Sequence, residues 1–170
     1  MKRAICVVTL ACSMFLAVGC GDRPAGISAP AEPDESMTPP QLGAAIGTLY
    51  IKAMEEVTAL IKDKPDPADI KGPLLTLKEK YIGHFIKFGK KRNALPESDH
   101  GAVDSAIRSQ MAKLMHVPWY KTYNDAQMYY HKIDPELRKL ILDFNIITQY
   151  ADFKLLKKQA PEEARRLGIK

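Results

Sequence analysis

In Leu16-Ala17-Val18-Gly19-Cys20, the strongly apolar start of a 170-residue chain ends on a thiol. Sulfur is the strongest nucleophile among side-chain atoms near neutral pH, and here it stands where the apolar run stops. The other two cysteines, Cys6 and Cys12, lie earlier in the same run, and a chain that starts at Cys20 can close no internal disulfide. His84, His100, His116 and His131 fall on or near four different helical segments. Metal sites on helices set their ligands three or four residues apart, and the single Glu-x-x-His, Glu97 to His100, lies in a turn, so neither a metal nor another cofactor is expected. The chain has no Cys-x-x-Cys-His for covalent haem, no Gly-x-Ser-x-Gly, no phosphate-binding glycine loop and no dinucleotide fingerprint.

Two groups of residues have the chemistry of a binding surface. The stretch PWYKTYNDAQMYYHK, residues 118–132, interleaves Trp119, Tyr120, Tyr123, Tyr129 and Tyr130 with amides and Lys121, and such side chains offer an apolar face with a polar tip. Core packing of one face of a short helix explains the same pattern. Lys87, Lys90, Lys91 and Arg92 form a basic cluster at a helix end, and Lys154, Lys157 and Lys158 form another. The helix dipole favours cations there without any ligand, whereas clusters sharing one face would suit anionic lipid or cell-wall polymer.

The first twenty residues have three parts: Lys2 and Arg3, an apolar stretch from Ala4 to Val18, and small residues up to Cys20. This is the layout of an export signal, and the run is shorter than the ~20 residues a permanent span requires. Leu16 to Cys20 resembles the lipobox of bacterial lipoproteins, with Gly19 as the small residue before the cut and Ala17 where that family most often has Leu. The resemblance implies a diacylglyceryl group on Cys20, cleavage between Gly19 and Cys20, and removal of residues 1–19. Because Gly21 rather than Asp follows the cysteine, the enterobacterial form of the family implies the outer rather than the inner membrane, with the body in the periplasm. Cys12 suits the role less well, since its apolar run would be only about seven residues. An ordinary secretory signal with an incidental Cys20 is the other reading of these residues.

Residues 20–40 carry five prolines among Ala, Gly and Ser, with no apolar periodicity, and read as an extended linker. From Cys20 to Thr38 it would span about 50 Å as polyproline and about 20–25 Å as a flexible coil. From Gly21 to Ser36 the net charge is −3, while from Met37 onward 22 Lys and Arg face 16 Asp and Glu, so an acidic tether precedes a basic body.

The body, residues 41–170, reads as all-α, an antiparallel bundle of four to five amphipathic helices. Thr38-Pro39-Pro40-Gln41 opens the first helix with a capping box, and its apolar stripe runs through Leu42, Ala45, Ile46, Leu49, Ala53, Val57, Leu60 and Ile61. A second helix is expected from about Pro73 to Lys90, a third from Asp99 to His116, and a shorter one from Trp119 to His131. Asp134-Pro135-Glu136 opens a long helix that carries Leu137, Leu140, Ile141, Phe144, Ile147, Ala151 and Leu155 toward Gln159, and Pro161 starts a final turn. Asn145, Thr148, Gln149 and Asp152 on that helix form either a polar interior network or its exposed side.

The function expected on these grounds is that of a lipid-anchored envelope protein whose bundle binds or scaffolds. Its partners would be membrane lipid through acylated Cys20, and an envelope protein, cell-wall polymer or anionic lipid; nucleic acid is not expected for an exported protein. The alternative is an envelope enzyme with a site assembled from His, Asp and Glu side chains that form no motif.

Overall fold

The computed structural model describes residues 32–170. The expectations for the signal segment, Gly19 and Cys20 lie outside the described residues. The fold is all-α, and no strand occurs among the described residues. Its helices are α1 (Pro39–Ile61), α2 (Pro67–Ala94), α3 (Glu97–Ala112), α4 (Trp119–Ile133), α5 (Pro135–Leu142), α6 (Phe153–Gln159) and α7 (Pro161–Arg166). Two 3-10 segments, Lys113–His116 and Asp143–Ala151, join α3 to α4 and α5 to α6.

The start of α1 follows from its capping residues: the Thr38 N–H donates to Gln41 Oε1 at 2.9 Å, and Pro39 and Pro40 occupy the first turn, where no amide donor is required. α1 is the central helix, packed most extensively on α3 and also on α2, α4 and the Asp143–Ala151 segment. Leu42, Ile46, Leu49, Ala53, Val57 and Ile61 of the expected stripe are buried and Ala45 and Leu60 half-buried, while Tyr50, Met54 and Thr58, outside that stripe, are buried as well. The second face comes from Gly43 and Gly47, one turn apart. A Cβ on Gly43 would lie 2.2 Å from the Val103 carbonyl oxygen, and one on Gly47 would lie 2.4 Å from Gln110 Cβ. Missing side chains therefore let α3 approach α1 closely along this edge.

α2 begins earlier than expected. Asp66 caps it by accepting the Ala68 N–H at 2.9 Å, Pro67 sits in the first turn, and Pro73 lies inside the helix. Pro73 has no N–H to give the Asp69 carbonyl, and Gly72 before it lessens the usual clash of the residue that precedes proline. At 28 residues α2 is the longest helix among the described residues. α3 ends at Ala112, and Lys113–His116 tightens into 3-10 geometry before Pro118.

The long helix expected from Asp134 to Gln159 is three elements. Asp134 caps α5 through the Leu137 N–H at 2.9 Å, the backbone becomes 3-10 from Asp143 to Ala151, and Asp152 caps α6 through the Leu155 N–H at 3.0 Å. Ile141, Phe144, Ile147 and Tyr150, all buried, recur at intervals of three. A 3-10 helix has three residues per turn, so this spacing keeps one face inward where an α-helix would rotate it away.

The two kinds of glycine should respond with opposite sign to the same change. Gly43→Ala is expected to cost about 1–3 kcal/mol through overpacking against Val103. Gly101→Ala, at an exposed α3 position with nothing within 4 Å of its Cβ, should gain about 0.5–1 kcal/mol. Urea unfolding followed by far-UV circular dichroism measures both.

Candidate functional site

Two of the residues expected to form a binding surface, Arg92 and Tyr123, lie in the interior. Arg92 is buried: one guanidinium nitrogen lies 3.0 Å from Asp104 on α3 and the other 2.9 Å from Asp152 at the start of α6. The Arg92 carbonyl also lies 3.0 Å from His100 Nε2. The side chain joins the end of α2 to two other elements and is not part of a surface cluster. Tyr123 is likewise interior, its hydroxyl donating to Asn145 Oδ1 at 2.9 Å, and burial pushes its pKa up. Tyr120, half-buried, stacks on Tyr123 with ring centroids 6.2 Å apart, beside half-buried Trp119. Tyr130 is buried too, and its hydroxyl donates to the Pro65 carbonyl at 2.8 Å, tying α4 to the loop between α1 and α2. Much of the aromatic stretch therefore belongs to the core.

Lys87 and Lys90 are exposed on α2 and Lys91 is half-buried, while α4 packs on α1, α5 and the 3-10 turn before it. Of the second basic cluster, Lys154 pairs with Glu97 and Lys157 Nζ donates to the Lys170 carbonyl at 3.0 Å. The polar residues near the end of the chain divide between roles: Asn145 accepts from Tyr123, Asp152 pairs with Arg92, and Gln149 lines a cleft. Of the histidines, His84 and His100 are half-buried and His116 and His131 exposed. Among the described residues no group of three or more His, Cys, Asp or Glu converges as metal ligands do.

Two concave regions stand out. The first, a cleft of about 500 Å³ between α2, the Asp143–Ala151 segment and α7, gathers the carboxylates Glu79, Asp143 and Glu163. Sequence reading missed it because its residues come from three distant segments. Lys78 Nζ lies 2.6 Å from Asp143, and Arg166 lies 3.1 Å from Glu79 and 2.7 Å from Glu163. The Tyr150 hydroxyl donates to Glu163 at 3.1 Å. The Arg166 hydrogen bond, with help from Tyr150, holds Glu163 below the usual carboxylate range, while burial and then the Glu163 charge push Tyr150 up. General acid–base work near neutrality needs a carboxyl raised toward 7 or a phenol lowered toward it, and both shifts run the other way. The cleft is an ion-pair seam that fastens α7 to α2.

The second is an apolar groove of about 630 Å³ between α1 and α2, lined by Ala59, Leu60, Pro73, Thr76 and Leu77 with Gly72 at its edge. Glu56 and Lys80, 2.8 Å apart, close one end. A Cβ on Gly72 would meet nothing within 4 Å, so that side of the groove is left open. Beyond Lys80, α2 carries His84, Lys87 and Lys91 at intervals of three and four, on the face that carries Pro73 and Leu77. Glu32 lies along this row, 2.6 Å from Lys87 and 3.9 Å from His84 Nδ1. Burial lowers the His84 pKa, and the Glu32 charge opposes that shift. Asp34 is held below its usual range by the Ser36 N–H and hydroxyl, with the Lys91 charge adding to them. Comparison of the chain with protein-family models, curated proteins and solved structures finds no match.

The seam should be visible in the pH dependence of stability. Because Glu163 has a lowered pKa when folded, its contribution is present above its unfolded value near 4.5 and is lost as pH falls through the folded one. Glu163→Gln should therefore be less stable than the natural chain at neutral pH, with the gap closing toward about pH 3. Urea midpoints measured across that range test it, and a gap independent of pH would refute the assignment.

Proposed function

We propose that this chain is a lipid-anchored protein of the bacterial cell envelope whose helical body serves as a binding or scaffold module facing the periplasm. The observation that carries this reading is the Leu16 to Cys20 stretch, which sets a thiol at the end of an export-type apolar run in a chain with no cysteine after it. The body is consistent with that: its core of Leu, Ile, Phe and Tyr side chains closes by packing, and its stability requires no second thiol. No helix among the described residues is long and apolar enough to cross a membrane, so in this reading attachment falls to the acyl chains. Each buried methylene contributes about 0.8 kcal/mol, and two or more chains hold a protein firmly.

Gly21 after the cysteine favours the outer membrane as its place. The surfaces left for a partner are Trp119 and Tyr120 at the start of α4 and Lys87 and Lys90 on α2, suited to an envelope protein, cell-wall polymer or anionic lipid. An enzymatic reading is not favoured by the cleft between α2 and α7 that gathers carboxylates, because each of them is already bound to a cation.

Cys20→Ser should abolish incorporation of labelled palmitate and leave the precursor uncut in the cell. Labelling equal to that of the natural chain would refute the anchor.

A further inference from the structure

Arg138, on α5, is a guanidinium without a counterion. It is half-buried, its Nε is shielded from solvent, and its side chain makes no hydrogen bond or ion pair with any described residue. The acids nearest to it in the chain are engaged elsewhere. Asp125 lies 2.6 Å from Lys121, Asp134 accepts the Leu137 N–H, Glu136 lies 3.7 Å from Lys71, and Asp143 lies 2.6 Å from Lys78. Arg92 shows how the same fold treats a guanidinium that serves packing: two carboxylates meet it. A partly desolvated cation left unmatched costs stability, and in a native protein it calls for a partner from outside. The terminal nitrogens of Arg138 are neither buried nor bonded, so they open to solvent, where such a partner can reach them.

The surroundings limit what that partner is. The Tyr123 hydroxyl donates to Asn145 Oδ1, and its ring stacks on Tyr120 with the planes 12° apart. Burial is the main cause that raises the Tyr123 pKa, and the Arg138 charge opposes it, which sets the guanidinium close to that hydroxyl. Arg138 and Asn145 are seven residues apart and so lie on one side of α5 and its 3-10 continuation. Asn145 is exposed, and its amide N–H groups have no partner among the described residues. Trp119 and Tyr120, half-buried one turn before Tyr123, add flat apolar faces. A forked cation and an amide donor thus stand beside an aromatic surface, the combination that suits a ring bearing a carboxylate. A bilayer fits less well. It attracts several lysines or arginines that protrude together, whereas Lys121 is already paired and Arg138 is recessed.

We propose that Arg138, Asn145 and the aromatic start of α4 form a binding site for a carboxylate-bearing sugar of a cell-wall glycan, with Arg138 pairing the carboxylate and Trp119 and Tyr120 stacking on the ring. The site rests on the reading of the body as an envelope binding module and gives that module its ligand class. It does not depend on acylation of Cys20.

Trp119 is the chain's one tryptophan, so its fluorescence reports on this surface. The test uses the full chain made in a bacterial envelope and extracted in detergent. The disaccharide of N-acetylglucosamine and N-acetylmuramic acid should shift the emission saturably, and N,N′-diacetylchitobiose, which lacks the lactyl carboxylate, should bind about ten times more weakly. Arg138→Gln should abolish that difference, and Arg138→Lys, which keeps the charge without the fork, should fall between. Because no acid depends on Arg138, the Gln variant should keep the urea midpoint of the natural chain. Equal affinity for the two disaccharides, or natural affinity in Arg138→Gln, overturns the site. A lowered urea midpoint together with lost binding of both sugars would make Arg138 a structural residue. Arg138-dependent binding of phosphatidylglycerol vesicles, with no response to the disaccharide, would assign the cation to lipid. Either result also overturns the site. Palmitate labelling of Cys20 is read separately, so the anchor and the site fail independently.

Discussion

The approach of α3 to α1 sets the geometry of the whole body. α1 has a polar edge, with Gln41, Thr48 and Glu55 exposed at intervals of seven, opens at Ala59 onto the groove beside α2, and otherwise packs against α2, α3, α4 and the Asp143–Ala151 segment. A helix enclosed in this way can be contacted from several directions only where its own bulk is reduced, and Gly43 and Gly47 provide that on the α3 side. Backbone-to-backbone proximity there fixes the position of α3, and with it the Asp104 carboxylate that reaches Arg92.

Arg92 then ties the far end of α2 to the rest. A guanidinium taken out of water is costly unless its charge and donors are matched, and here two carboxylates from different elements share it. Asp152 does double duty, capping α6 and pairing with Arg92, so the break between the 3-10 segment and α6 is held where the ion pair requires it. Nearby, Gly89 lets Phe153 and the Tyr150 carbonyl press onto α2, since a Cβ there would lie 2.5 Å from the Phe153 ring. The body is thus closed by small residues at its contacts and by one buried cation at its end.

The all-α class was legible from helical spacing, and the starts at Thr38 and Asp134 from their capping chemistry. What sequence reading missed has physical causes. Glycines carry no hydrophobic signal, so the second face of α1 could not be seen in a pattern of apolar residues. The second helix was expected only from Pro73, where its apolar stripe begins, yet the Asp66 cap lies upstream of it. The run Ile141, Phe144, Ile147, Tyr150 was absorbed into an α-helical stripe, although spacing by three without a four is the 3-10 period itself. Of the candidate surface, exposure of Lys87 and Lys90 followed from ordinary lysine behaviour, whereas the interior positions of Arg92 and Tyr123 depend on acids and amides far away in sequence. Composition also showed an acidic tether and a basic body but could not show that Glu32 rests on Lys87.

The 3-10 segment works as a gauge. Lys78 and Arg92 stand fourteen positions apart on α2, four turns and about 21 Å, and they hold Asp143 and Asp152 at the two ends of that segment. Nine steps of α-helix would advance only about 14 Å, whereas the same nine at 3-10 rise cover about 18 Å, a shortfall that side chains can bridge. The thinner, more stretched backbone is what allows two carboxylates on a short piece of chain to dock at once on cations set by a longer one, and the loss or gain of a single residue between them would leave one of the two anchorages out of register.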